Sequence, residues 1–203
     1  MGMEQIIFCD TSCTKQFSTP QGKSQDITLF LLAKDRVHYQ LDLLLDAPRS
    51  SLQVAVFIIA LPGSHVSLAT RQLHSAWAGR SRMDVKSVVG EDASVIYNGF
   101  ISVGVKAHST DAYERNASLL LGSRSRALSS PVLEIETNDV HASHGSVTSM
   151  PSRDELWYLQ TRGIAPSDAL RLLVTGYVGS GDGLAPQNAR RWNGGLGVIT
   201  RSL

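Results

Sequence analysis

Residues 94–108 read SVIYNGFISVGVKAH, and the fold turns on what Asn98 and Gly99 do inside that run. Asn-Gly between apolar segments is the strongest short-range signal for a β-hairpin. Here the pair is embedded in an otherwise strand-like stretch, and hairpin signals are scarce elsewhere in the chain. Working outward, QLDLLLDAP (40–48), LQVAVFIIALPG (52–63), HVSLATRQLH (65–74), MDVKSVVGED (83–92) and PVLEIETND (131–139) also read as strands, punctuated by Gly, Pro, Ser, Asp and Asn. Leu133 and Ile135 alternate with Glu134 and Glu136, as on a strand with two unlike faces. Many short strands suggest a sandwich, a barrel or a β-solenoid. The shortage of hairpins favours the solenoid, whose parallel rungs are joined by corners.

After Met150 the texture changes. PSRDELWYLQTRG (151–163) offers Pro151 or Ser152 before an acidic first turn, then Leu156, Trp157 and Leu159, and a stop at Gly163. APSDALRLLVTGYV (165–178) repeats the recipe, with Ser167 as the expected N-cap, Asp168 in the first turn and Gly176 near the end. The expected organisation is a β body over 1–150, a helical segment over 151–178 and a Gly-rich tail over 179–203.

Composition narrows the class of function. The 203 residues are 42% hydrophobic and 18% charged, with a net charge of +1. That balance fits a folded protein of one domain and argues against a broad nucleic-acid-binding face. The most apolar stretch, Val54 to Leu61, is too short to span a bilayer, and the N-terminus has no leader pattern, so a cytoplasmic protein without a membrane segment is expected. Cys9 and Cys13 form a CxxxC pair that could ligate metal or form a disulfide, but no second cluster follows, and the pair reads more simply as two free thiols.

His141 and His144 lie within NDVHASHGS (138–146). On a strand an odd separation sends them to opposite faces, so a chelate would require a bulge. His144 shares its face with Val140 and Ala142 and reads as the buried or rim member. Neither Glu134 with Glu136 nor Asp111 with Glu114 has a partner that would complete an acid/base pair. There is no G-x-S-x-G elbow and no HExxH arrangement. No enzyme emerges from these motifs; a β-helix carbohydrate-active enzyme would need a cleft of clustered acids or bases.

The run from 84 to 178 closely resembles the core of the SufB/SufD family, the scaffold subunits of the SUF iron–sulfur cluster assembly system. The landmarks fall in order: Tyr97, Gly99 and Ile101; Ala107, Thr110, Asp111 and Ala112; Asn116 before Leu119 to Leu121; Pro131 and Leu133 to Ile135. Asp139, Val140 and Ser143 to Gly145 follow, then Asp154, Glu155, Tyr158, Leu159 and Arg162 to Ile164. The resemblance implies a right-handed parallel β-helix with a small C-terminal helical segment. It implies a non-enzymatic scaffold that docks a SufC-type ABC ATPase through the helical segment, with Asp154, Glu155, Trp157, Tyr158, Leu159, Arg162 and Gly163 at that surface. Trp157 stands where the family usually has Phe, and packing of the helix on the β body is an equal account of it. The resemblance also implies dimerisation with a second copy or a SufB-like subunit. His144 is then a candidate ligand for a transient iron–sulfur cluster at the subunit interface, with no cofactor held tightly by this chain alone. Ser125 stands where the SufB branch carries an essential cysteine, which makes the chain SufD-like. A structural homo-oligomer without a cluster role is the bland alternative.

Overall fold

The computed structural model describes residues 3–179; the tail expected beyond Gly179 lies outside the described residues. Eleven strands run in order: β1 (Met3–Cys9), β2 (Cys13–Ser18), β3 (Ser24–Ala33), β4 (Arg36–Leu45), β5 (Ser51–Ala60) and β6 (His65–His74), then β7 (Arg80–Val89), β8 (Ser94–Val103), β9 (Thr110–Leu120), β10 (Arg126–Ile135) and β11 (Val140–Ser149). Two helices follow, α1 (Arg153–Thr161) and α2 (Pro166–Gly179). Successive strands alternate between two sheets, ordered β1-β3-β5-β7-β9-β11 and β10-β8-β6-β4-β2. Every pairing is parallel. The fold is a β-solenoid of about five turns. Ser24 pairs with Ser51, Ser51 with Arg80, and Arg80 with Asp111, giving a rung of roughly 30 residues, typical of solenoid repeats.

Asn98 and Gly99 make no turn. They lie in the middle of β8, opposite Ala69 and Thr70 of β6 on one side and Ser130 and Pro131 of β10 on the other. Pro131 is tolerated because β10 is the edge of its sheet.

The rungs turn at stacked corners instead. Gly22, Arg49, Ala78 and Ser109 occupy equivalent places in successive rungs, and all have left-handed backbones, φ 55–65°. Each donates its N–H to the next rung: Gly22 to Pro48 O, Arg49 to Trp77 O, Ala78 to His108 O and Ser109 to Asp139 O, at 2.7–3.1 Å. The corner is therefore defined by backbone geometry and an inter-rung hydrogen bond, which three non-glycine residues accept at a steric cost.

Inside, alternate residues stack in columns. Leu29, Val56 and Val85 form one, and Leu41, Leu43, Leu45, Leu52 and Leu68 line the same core. The run Val54 to Leu61 is apolar on both faces for a reason beyond the core. Val54, Val56 and Ile58 point inward, while Ala55, Phe57 and Ile59 join a second cluster with Val174 and Val178 of α2. Helix α2 thus covers the outer face of the six-stranded sheet, and Lys86 of β7 donates to Tyr177 O at 2.9 Å.

Two expected helix signals are corrected. Helix α2 begins at Pro166, so Ser167 lies within the first turn and is not the cap; proline's fixed φ suits that first position. It also runs through Gly176 to Gly179, because burial of Val174 and Val178 outweighs the roughly 1 kcal/mol cost of an interior glycine. Helix α1 follows expectation: Ser152 caps it and accepts from the Glu155 N–H.

Candidate functional site

The solenoid ends openly at β10 and β11. Leu128, Val132 and Ile135 of β10 and Val147 of β11 are exposed, as is Met150 just beyond. Among the described residues each of these strands is paired on one side only, leaving a row of backbone donors and acceptors without a strand partner on the other.

His144 sits on this last rung. Its register places it in the column Ile27, Val54, Met83, Glu114, His144, where the first four are buried and His144 is exposed. His141 stands opposite Asp111 on the other face, so the two histidines diverge as strand geometry requires. Among the described residues no group of three or more His, Cys, Asp or Glu side chains is arranged to hold a metal.

Directly beneath His144 the core turns polar, which sequence reasoning missed. Glu114 is 2% exposed. Gln72 Nε2 donates to its carboxyl at 3.4 Å, and the Tyr97 hydroxyl is hydrogen-bonded to it and lies 2.8 Å from Thr70 Oγ1. Burial raises the Glu114 pKa above the ordinary carboxyl range, partly offset by the bonds from Tyr97 and Gln72. A Cβ on Gly99 would fall on the Glu114 carboxyl. The glycine of Asn98-Gly99 is therefore a vacancy that the buried acid fills, and a glycine inside a strand was the available signal for it.

Ser125 closes the corner before β10: its hydroxyl donates to Gly90 O at 2.7 Å and accepts from the Gly122 N–H at 3.0 Å. It is buried, and it serves the turn.

The helical candidates form a separate surface. Helix α1 has no buried residue and leans on α2. Trp157 is 68% exposed and Tyr158 53%, so Trp157 is not an anchor into the β body. Asp154 and Glu155 are exposed in the first turn, where carboxylates favour the helix dipole. Arg162 stacks its guanidinium 5.2 Å from the Tyr158 ring centroid, and Leu159 is half-buried. Gly163 has φ 82°, with its N–H bonded to Gln160 O while Ile164 N–H reaches Leu159 O. That is a Schellman stop, so in Arg162-Gly163-Ile164 the glycine ends the helix.

The SUF system FeS cluster assembly SufBD core domain matches residues 13–177. The chain belongs to the SufBD family. The match begins well upstream of residue 84 and takes in all but the first strand and the last residues of α2. Among SufBD relatives, a SufBD family protein of Mycobacterium leprae is 34% identical over 83% of this chain and 38% of its own length. A second, from a Synechocystis strain, is 34% identical over 57% of this chain and 23% of its own. The Escherichia coli iron–sulfur cluster assembly protein SufD is 27% identical over 71% of this chain and 34% of its own. The chain thus spans well under half the length of these relatives. No helix among the described residues is long and apolar enough to cross a membrane.

Proposed function

We propose that this chain is a non-enzymatic scaffold subunit of iron–sulfur cluster assembly that docks a SufC-type ABC ATPase through α1. The observation that carries the reading is that, among the described residues, α1 has no fully buried side chain and presents Trp157 and Tyr158 to solvent. Two exposed large aromatics, with Arg162 stacked on Tyr158 and Asp154 and Glu155 exposed in the same helix, have the make-up of an interface centre. Family membership supports the assembly role. The free edges of β10 and β11, with Leu128, Val132 and Val147 beside them, suit pairing with a second copy or a SufB-like subunit. His144 lies on that end rung, where a transient cluster between subunits would find it. A cytoplasmic location goes with this role.

The test is co-purification of the intact chain with the ATPase, read by size exclusion and hydrolysis rate. A stoichiometric complex with an altered rate is expected. Trp157→Ala should weaken it roughly 30-fold, the equivalent of about 2 kcal/mol at an interface anchor. His144→Ala should leave that complex intact and reduce cluster retention in the paired assembly. A stable homodimer that ignores the ATPase would instead make the chain a structural oligomer.

A further inference from the structure

Cys9 ends β1 and Cys13 begins β2, joined by the exposed corner Asp10-Thr11-Ser12. Both thiols pack against the main core at the first rung, Cys9 opposite Leu31 and Cys13 opposite Tyr39. Their sulfur atoms lie 3.1 Å apart, closer than two unbonded sulfurs ordinarily rest, and both residues remain partly exposed. A second observation marks the same place. The Tyr39 side chain is fully buried, yet its hydroxyl has no hydrogen-bond partner among the described residues. The rung that carries the touching thiols thus also holds an unsatisfied polar group in its core, through Tyr39 opposite Cys13.

We infer that Cys9 and Cys13 form a reversible disulfide, a redox-operated staple between the N-terminal edge strands of the two sheets. β1 is the edge of the six-stranded sheet and β2 the edge of the five-stranded one, so one bond ties both. The oxidant is a low-molecular-weight disulfide. The Cys9 thiolate attacks it, forming a mixed disulfide and releasing one thiolate of the reagent. Cys13 then loses its proton and attacks the Cys9 sulfur, closing the bond and releasing the second. The two protons lost by the cysteines end on the two released thiols, and the two electrons reduce the reagent.

The surroundings set the rate. Burial, together with the neighbouring Cys9, pushes the Cys13 thiol up to about 12, so little of it is thiolate in neutral water and ring closure quickens with rising pH. Proximity works in the other direction, because the second step is intramolecular between atoms already in contact.

The intact chain is incubated with excess oxidised glutathione, then denatured and alkylated. Loss of both alkylatable thiols with a mass about 2 Da lower is expected, together with slower amide exchange in β1 and β2. Dithiothreitol should reverse both changes. Cys13→Ser should halt at a stable glutathione adduct on Cys9, which shows attack without closure. Two free thiols after prolonged exposure at pH 9, glutathione adducts on both cysteines, or disulfide-linked dimers would each overturn the inference.

Discussion

Ala78 holds a left-handed backbone, φ 55°, at a corner where the solenoid needs that geometry and no side chain is required. A Cβ there costs roughly 1–2 kcal/mol, of which glycine's extra unfolded-state freedom returns a part. Ala78→Gly should therefore raise stability by about 0.5–1 kcal/mol in urea unfolding, and an unchanged midpoint would mean that the corner is relaxed. His74 poses a different residue-level question. It is buried with Nε2 2.8 Å from Ser81 Oγ, and desolvation takes its pKa from 6.5 down to about 4. Between those values only the unfolded chain binds the proton. The stability due to the neutral ring is thus complete above about pH 6.5, declines as pH falls, and levels off below about 4. The loss amounts to as much as about 3 kcal/mol, and His74→Gln should flatten the melting temperature between pH 7 and 4.5. Glu114 has the opposite sign. Its raised pKa keeps a proton in the folded state that the unfolded chain sheds near 4.5, so its contribution is present below that value and fades as pH rises. Glu114→Gln, which keeps an acceptor for Gln72 and Tyr97, should be more stable than the wild type at pH 8 and nearly equal to it at pH 4.

The two helices separate packing from presentation, and that difference can be measured. Val174 of α2 is fully buried against Phe57 and Val88. Its truncation to alanine should cost about 2 kcal/mol of stability. Trp157→Ala, on an element with no buried residue, should change stability by less than about 0.5 kcal/mol while removing the proposed docking anchor. If Trp157→Ala destabilised the chain as much as Val174→Ala, α1 would be part of the fold and its surface no interface. Both helices were legible in the sequence because caps and stops are local. Ser152 and Gly163 act within one turn of themselves. The end of α2 was not legible, because what carries it past Gly176 is a sheet surface far away in sequence. The same holds for the strands. Val54 to Leu61 announces itself, since both its faces are covered. β9 carries Glu114, Asn116 and Ser118 at inward positions, so its alternation of apolar and polar residues is hidden.

A solenoid is stabilised rung by rung, each turn resting on its neighbours, so its ends and its middle need not share one stability. The solenoid class was readable from the absence of hairpins, because parallel rungs leave that mark at every corner. The place of His144 was only half readable. Strand parity put it on the inward face, but which rung is last is a property of the assembled stack and of no local pattern. The middle rungs, β4 to β7, hold the fully buried Leu41, Leu43, Leu45, Val56, Ile58 and Leu68. β10 and β11 keep mostly exposed or half-buried side chains, and the residues beneath them include Glu114, Asn116 and Ser118. Amide exchange of the isolated chain should therefore run as a gradient, slowest in β4 to β7 and fastest in β10 and β11. Pairing with a second copy or a SufB-like subunit should slow exchange in β11 without altering β4 to β7, since only the free edge acquires new hydrogen bonds. Val147→Lys, which places a charge beside that edge, should keep the gradient and abolish the added protection. Uniform exchange across all rungs would mean that the stack opens as one unit, and the open end would then have no separate readiness to pair.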